Sequence, residues 1–438
     1  MSHLLIDAGR HACARLRGAG HQAFFAGGAV RDRLLSRPFT DLDIATSATP
    51  AQVTALFPDA RTVGASFGVV LVQCLGVELQ VATFRSDHSY SDHRRPSSVT
   101  YETDPRADAL RRDFTINGLL EDPLTGEILD YVNGRADLDA RIIRAIGNPA
   151  ARFAEDALRM LRAIRFAARL GFSIDPATLA AIRASAPTIL AISAERVRDE
   201  LSLILTENGP FLGLTLLDST GLLPLILPEI SAMHGVAQPP EYHPEGDVFT
   251  HTLLCLQHLE NPSIELALAA LLHDVAKPAT FNDSSGRIRF DGHAELGARM
   301  ATGILTRLRY PNSVIESVAS LIANHMRFME VERMGEAAFK HLLRLPRFDD
   351  QLELLRIDSL AALRPLTTYD LVHRRIAEIP PEQIRPPRLL TGDDLIAMGF
   401  TPGKRLGEIL QAIEEAQLAG ALSTPADARA FIAFRFRS

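Results

Sequence analysis

Cysteine is scarce in this chain of 438 residues. Cys13, Cys74 and Cys255 lie far apart and form no Cys-x-x-Cys pair, which argues against a disulfide framework or a cysteine zinc site and makes a reducing compartment the expectation. Long apolar runs are missing as well. Although 47% of the residues are hydrophobic, no run approaches the roughly 20 residues that span a bilayer, so no membrane association is expected. Residues 1–20, MSHLLIDAGRHACARLRGAG, scatter Arg and His through a helical pattern, where a secretory leader would place a basic end before an apolar block. The segment reads as the first helix of a cytoplasmic protein. An overall positive charge is also absent: the net charge of -7 counts mildly against nucleic-acid binding, which needs local Lys and Arg to neutralise phosphates. No internal repeat or low-complexity tract stands out, and no obligate protein partner is evident.

What is present is unevenly distributed. The length implies two to four domains. Over residues 20–85, short strand-like runs (HQAFFAGG, DLDIAT, FGVVLVQCLGVELQVATF) alternate with the helix-like TPAQVTALFP, which predicts a small mixed sheet. Residues 86–110 are polar and aperiodic and read as a mobile loop. From about residue 147 onward helical patterns dominate, broken by Gly and Pro near 171–176, 208–210, 221–228, 239–246, 310–312 and 379–387. Basic residues concentrate at Arg135, Arg141, Arg144, Arg152, Arg159, Arg162, Arg165 and Arg169, one basic stripe on an acidic chain.

Three segments carry chemistry. Residues 24–46, FFAGGAVRDRLLSRPFTDLDIAT, end a strand in Gly27-Gly28, where backbone N–H groups can approach a triphosphate with no Cβ in the way. Asp41 and Asp43 follow two residues apart, on one face of an extended segment, where two hard oxygen ligands can hold Mg²⁺. Either piece alone is most simply a turn or a solvated Asp-x-Asp; in this order and spacing they suggest nucleotidyl transfer. In RRDFTINGLL (111–120), Arg112 offers a guanidinium to phosphates, with Asp113 either holding that arginine or standing near the metal. In RFAEDALRMLRAIRFAARLGFSID (152–175), a single helix would gather Asp156, Arg159, Arg162, Arg165 and Arg169 within about half a turn, with Met160, Leu161, Ile164 and Ala168 opposite. No glutamate is interleaved on that face, which favours a wall turned toward phosphate or base over a plain solvated surface.

These segments, with ISAERVRDEL at 192–201, resemble the class II tRNA nucleotidyltransferase and bacterial poly(A) polymerase family. The resemblance covers about the first half of the chain, with two small departures at Ala26 and Gly118. It implies an α+β fold: a polymerase-β-like nucleotidyltransferase head with a small mixed sheet, followed by an all-α neck, body and tail. It further implies that Asp41 and Asp43 are catalytic and hold Mg²⁺. Gly27, Gly28, Arg31 and Asp113 would belong to the nucleotide site and Arg112 would contact the phosphates; Asp156 and Arg159 would read the base edge, supported by Arg162 and Arg165. A carboxylate accepts from the exocyclic amine of C or A, and a guanidinium donates to their ring acceptors. G and U would leave those buried groups unpaired.

A further constellation lies outside these motifs. His251, His273-Asp274, His293, His325 and Asp358 fall on or at the ends of predicted helices in an order that resembles HD-domain phosphohydrolases. Each histidine alone reads as a capping or core residue; together they would hold one or two divalent transition metals, because imidazole and carboxylate suit a borderline ion able to activate water. His258 reads as structural. In the tail, Thr391 is a candidate N-cap and PGK a helix break.

The expected domains are a head over 1–146, a neck over 147–232, an HD domain over 233–365 and a helical tail over 366–438. The expected activity is addition of CCA to tRNA from CTP and ATP, with A-only addition or poly(A) tailing as the alternative. A rival of another class makes the HD phosphohydrolase the main activity and the head an RNA-binding module.

Overall fold

The computed structural model describes residues 2–62, 68–90, 96–284 and 286–436. They fall into two units, 1–231 and 232–438.

The first unit is built on a mixed sheet whose strand order is β3-β4-β5-β2-β1-β8-β9. The strands are β1 (Ala23–Ala26), β2 (Asp43–Thr46), β3 (Arg61–Thr62), β4 (Val69–Cys74), β5 (Val77–Thr83), β8 (Leu120–Glu121) and β9 (Ile128–Leu129). β2 runs parallel to β5 and the other neighbours are antiparallel, as the alternating segments predict. β1 is buried along its whole length because it is central and covered on both faces. On one side helix α1 (Ser2–Gly18) buries Leu5, Ala8, Ala12 and Leu16 at helical spacing. It lies close to β1: a Cβ on Gly9 would stand 2.7 Å from Phe25 and 2.5 Å from Leu42. Across β1, Phe24, Ala45, Phe84 and Leu120 form a second apolar layer. Helix α2 (Gly28–Leu34) leaves β1 directly. Helix α3 (Pro50–Leu56) opens with a Thr49–Gln52 capping box.

The expectation of a mobile loop over 86–110 fails on the residues the structure describes. β6 (Arg85–Tyr90) and β7 (Pro96–Tyr101) pair antiparallel, and helix α4 (Pro105–Leu110) follows with Asp104 as its N-cap. Residues 91–95, within the same expectation, lie outside the described part. Sequence RSDHSY and PSSVTY carry no apolar alternation, so a strand paired only with its neighbour leaves no hydrophobic signature.

The single helix expected over 152–175 is two. Helix Pro149–Glu155 ends at Asp156, whose backbone is extended at φ -147°, and helix Leu158–Leu170 begins after it. The second helix buries Met160, Leu161, Ile164 and Ala168 as its periodicity predicts. β10 (Ile142–Ile143) pairs in parallel with β11 (Ser173–Ile174), tying the start of this helical layer to its end.

The second unit is helical. Helix Ile264–Leu272 is buried on every side, with Val248–Gln257, Asn312–Asn324 and Phe348–Ala361 packed around it and His293–Arg307 against Asn312–Asn324. Asp247 and Ser263 cap the first two through Thr250 N and Leu266 N. A satellite core forms around Phe328, Phe339, Leu342 and Val372, and another around Leu395, Ile409, Ile413 and Ile432. Thr391 does cap its helix, in a box with Asp394. No helix among the described residues is long and apolar enough to cross a membrane.

Candidate functional site

The glycine pair and the two aspartates meet because β1 and β2 are antiparallel neighbours: Ala26, before the pair, stands opposite Asp43. Gly27 has φ 70° and ψ -134°, a backbone state open to glycine alone. A Cβ there would lie 3.0 Å from Arg112 Nη1 and 3.6 Å from Asp43 Oδ2. Asp41 precedes the strand and is exposed, while Asp43 is half-buried. Burial raises the Asp43 carboxyl above its ordinary range; Arg112 pulls it down and Asp41 pushes it up. Asp43, raised by burial and by the neighbouring Asp41 and only partly offset by Arg112, is a donor short of positive charge, and a hard divalent cation fits it.

Around them opens a cleft of about 850 Å³. It brings together every residue the sequence nominated here: Gly27, Gly28, Arg31, Asp41, Asp43, Arg112, Asp113, Asp156, Arg159, Arg162 and Arg165. Their pairing differs from expectation. Asp113 does not hold Arg112. It takes Arg162 at 2.7 Å, together with Asn117 Nδ2 and the Phe114 N–H. Burial opposes its ionisation, but these partners outweigh it and bring the carboxyl down to about 2. Arg112 is held instead by Asp108, a buried carboxylate shared with Arg111. Asp156 pairs with Arg196 at 2.8 Å, and Arg159 with Glu155 at 2.5 Å.

The arginine wall is therefore not bare. Its neutralising carboxylates come from other elements or from the preceding helix: Glu200 for Arg165, and Asp32 and Glu207 for Arg169. Arg31 lines the cleft at 2% exposure, donating to Asp32 and to Asn117 Oδ1 at 2.7 Å. Phe166 forms an apolar floor, with Arg31, Arg162 and Arg165 guanidinium carbons 5.0, 5.4 and 4.4 Å from its ring centre. Asp108, Asn117, Phe166, Arg196 and Glu200 escaped the sequence reading. Asn117, Phe166, Arg196 and Glu200 lie within the motifs at 111–120, 152–175 and 192–201, the signals that could have found them; Asp108 lies outside all of these.

In the second unit the six HD candidates converge. His251 Nε2 is 3.1 Å from Asp358 Oδ1 and 3.9 Å from Asp274 Oδ2. His273 Nε2 is 3.3 Å from Asp274 Oδ2, and His293 Nε2 is 3.7 Å from Asp274 Oδ1 and 3.3 Å from His325 Nε2. His273 Nε2 is buried without a hydrogen bond. Three of the rings are fixed by donating Nδ1–H to the carbonyl three residues back: His273 to Ala270, His293 to Phe290 and His325 to Ile322. Burial, with His273 beside it, pushes the His325 imidazole down to about 4, so it is neutral and able to ligate. Burial opposes ionisation of Asp274, but His273 and Lys277 outweigh it and hold the carboxyl well below its ordinary range. Inward-facing imidazole nitrogens around two carboxylates, one nitrogen without a partner, fit a divalent transition metal. Lys277, 2.7 Å from Asp274, was not singled out in the sequence, nor were His243 and Glu245. His258 caps its helix away from the cluster. Above the cluster lies a cavity of about 460 Å³ bordered by Tyr242, Lys277, Arg287, Phe290, Met326 and Arg364.

Three family models match the chain: the poly A polymerase head domain over residues 23–144, the probable RNA and SrmB-binding site of polymerase A over 171–233, and the HD domain over 248–363. The CCA-adding enzyme of Geobacillus thermodenitrificans is 48% identical over 210 residues, 48% of this chain and 51% of that relative. The match thus spans about half the length of such relatives. Two others extend further. The A-adding tRNA nucleotidyltransferase of Deinococcus radiodurans is 37% identical across 74% of this chain and 78% of its own. The CCA-adding enzyme of Lacticaseibacillus paracasei is 32% identical across 93% and 91%. Among solved structures, the Bacillus stearothermophilus CCA-adding enzyme in complex with CTP superposes with a TM-score of 0.76 at 28% identity, covering 98% of this chain and 97% of that one. With glycine turn, paired aspartates and arginine wall in one cleft, and a relative 32% identical matched over 91% of its length, this chain belongs to the family of CCA-adding and A-adding tRNA nucleotidyltransferases.

Proposed function

We propose that the chain adds C, C and A to the 3′ end of tRNA from CTP and ATP without a nucleic-acid template. The observation that carries this reading is the single cleft in which the Gly27-Gly28 turn, Asp41, Asp43 and the arginines converge. Asp41 and Asp43 would hold Mg²⁺, in a two-metal arrangement, which when bound supplies positive charge to the triphosphate and the attacking 3′-hydroxyl. Gly27 and Gly28 let the backbone approach the phosphates. Arg112, anchored by Asp108, presents a fixed guanidinium to them, and Phe166 with its three arginines gives the base a flat floor. Asp156, steadied by Arg196, accepts from the exocyclic amine of C or A, while Arg159 donates to the ring. We assign the head to 1–146, the neck to 147–232, the HD domain to 233–365 and the tail to 366–438.

A second reading, addition of A alone to tRNA ending in CC, is favoured by the likeness to the A-adding tRNA nucleotidyltransferase across 78% of its length. One assay separates the two: purified protein with tRNA lacking CCA, tRNA ending in CC and an unstructured RNA, each with single labelled nucleotides. Incorporation of C into tRNA lacking CCA supports the first reading. Incorporation of A alone, on CC ends alone, supports the second.

For the second unit we propose a metal-dependent phosphohydrolase, with His251, His273, Asp274, His293, His325 and Asp358 holding one or two transition metals that supply an activated water. The cationic rim of Lys277, Arg287 and Arg364 suits a phosphoryl group. Its substrate would be a 3′-phosphate or 2′,3′-cyclic phosphate on a damaged tRNA end. Removing it would leave the free 3′-hydroxyl on which nucleotide addition depends.

A further inference from the structure

We infer that Glu245 is the positioning residue of the metal centre, fixing His251 so that its Nε2 faces the ion. This rests on the reading that the cluster holds a divalent metal.

His251 differs from the other three histidines. Those stand at helix ends, where Nδ1 reaches a carbonyl three residues back. His251 lies inside helix Val248–Gln257, where the carbonyls behind it are engaged: Asp247 O accepts from His251's own N–H, and Val248 O from Thr252 Oγ1. A ring there needs an acceptor from outside the helix. Glu245 provides it, with Oε1 2.6 Å from His251 Nδ1 and 2.9 Å from His243 Nδ1. The Glu245 side chain is 2% exposed and that of His251 0%. With Nδ1–H donated to the carboxylate, the neutral ring, which is the form that ligates a metal, keeps its lone pair on Nε2. That atom faces Asp358 Oδ1 at 3.1 Å.

The chain is shaped to put the carboxylate there. Gly246 adopts φ 129°, in the left-handed half of conformational space, which lets the backbone reverse between Glu245 and the helix cap Asp247. Asp247 caps Thr250 N and also accepts from Gly235 N, and Val248 N donates to Val236 O, so the turn is pinned on both sides. The sequence showed only a Gly and Pro break at 239–246. In the structure it is a strap that delivers one carboxylate to one imidazole. A carboxylate on the far nitrogen makes an imidazole a stronger donor than a carbonyl does, and losing such a partner commonly costs 10–100-fold in metal affinity.

The test uses the full-length protein stripped of metal and titrated with Co²⁺ followed by visible absorption, comparing wild type with Glu245→Ala and Glu245→Gln. Glu245→Ala should weaken Co²⁺ binding by about 10–100-fold. Glu245→Gln keeps an acceptor without the charge and should fall between. A role in packing alone would lower the melting temperature of the metal-free protein and leave the Co²⁺ affinity of the folded fraction unchanged, which would overturn the inference. Should Glu245→Ala not fold, Glu245→Gln carries the comparison. Nitrogen-15 spectra of metal-free wild type, assigned against His251→Gln, give an independent readout: His251 protonated on Nδ1 supports the role, and a proton on Nε2 alone overturns it. If wild type binds no Co²⁺ and His273→Ala changes nothing, the metal centre falls and this inference with it; tight binding by wild type and Glu245→Ala alike removes Glu245 alone.

Discussion

In the cleft of the first unit, Arg31, Arg112, Arg159, Arg162, Arg165 and Arg169 each stand beside a carboxylate. In the histidine cluster of the second, nitrogens face one another and one of them makes no hydrogen bond. The cleft pairs each of these six cations with a carboxylate, leaving Arg196 Nη1 without a hydrogen bond, and can meet an anionic ligand by sharing or exchanging partners, at modest cost because the side chains are long. The cluster leaves its donors facing one another, an arrangement stabilised when a cation sits among them. On the functions proposed above, the first arrangement suits a substrate that leaves after each turnover and the second an ion that stays.

The largest effect is expected where the cleft resembles the cluster, at its carboxylates. Asp41→Ala or Asp43→Ala should reduce nucleotide addition at least 1000-fold, on the order of 4 kcal/mol at the transition state, with an unchanged circular dichroism spectrum. Activity within tenfold of wild type in Mg²⁺ would put both residues outside the chemistry.

Next comes the cluster itself. His273→Ala with Asp274→Ala should abolish bound transition metal and hydrolysis of terminal or cyclic phosphates while a tRNA with an intact 3′-hydroxyl is still extended. Metal analysis and paired assays decide it; loss of both activities together would tie the two sites into one function.

Within the cleft, the paired arginines should prove divisible. Arg112→Ala should raise KM for all nucleotides by about 10–100-fold, the size of a charge-assisted contact. Asp156→Ala should instead relax the preference for C and A over U and G. Single-nucleotide kinetics with all four triphosphates separate these outcomes, and full discrimination by Asp156→Ala would refute base reading by that carboxylate.

The smallest effect concerns stability. Asp113 has its carboxyl depressed from 3.8 to about 2, so its ion pair with Arg162 is fully present above the ordinary carboxylate range and is lost as pH falls through that interval. Arg162→Ala should shift this acid loss of stability to higher pH. Melting curves between pH 5 and 2 would show it, and coincident curves would assign the depression to Asn117 and the Phe114 N–H.

The sequence made one kind of information visible and hid another. Short-range geometry was legible: Gly27-Gly28 before α2, Asp41 and Asp43 two apart, His273-Asp274 closing an apolar helix. Partner choice was not. Asp113 and Arg162 are 49 residues apart, and Arg165 and Glu200 are 35. A face that looked uncompensated along the helix was compensated across space. The break at Asp156 was missed because Ala, Leu, Met and Arg on both sides are strong helix formers, whose propensity is overridden locally. β6 and β7 escaped because neither presents an apolar face. The strap carrying Glu245 read as punctuation because its glycine and proline are the residues a turn requires, and nothing in a turn's composition says what its side chains reach.

If the cluster holds the proposed metal, the three rings pinned three residues back would make its occupancy a gauge of helix phase. The His273 and His325 imidazoles are each aimed by a carbonyl on their own helix, and that of His293 by Phe290 just before its helix, so displacing either of the first two helices by one residue would swing its ring through about 100° and out of the cluster. An ion bound only by the correctly phased bundle favours that arrangement by mass action, by about 2.7 kcal/mol when free metal stands at 100 times its dissociation constant. In a cell, metal supply would then act on how long this half of the chain persists folded, apart from anything it hydrolyses.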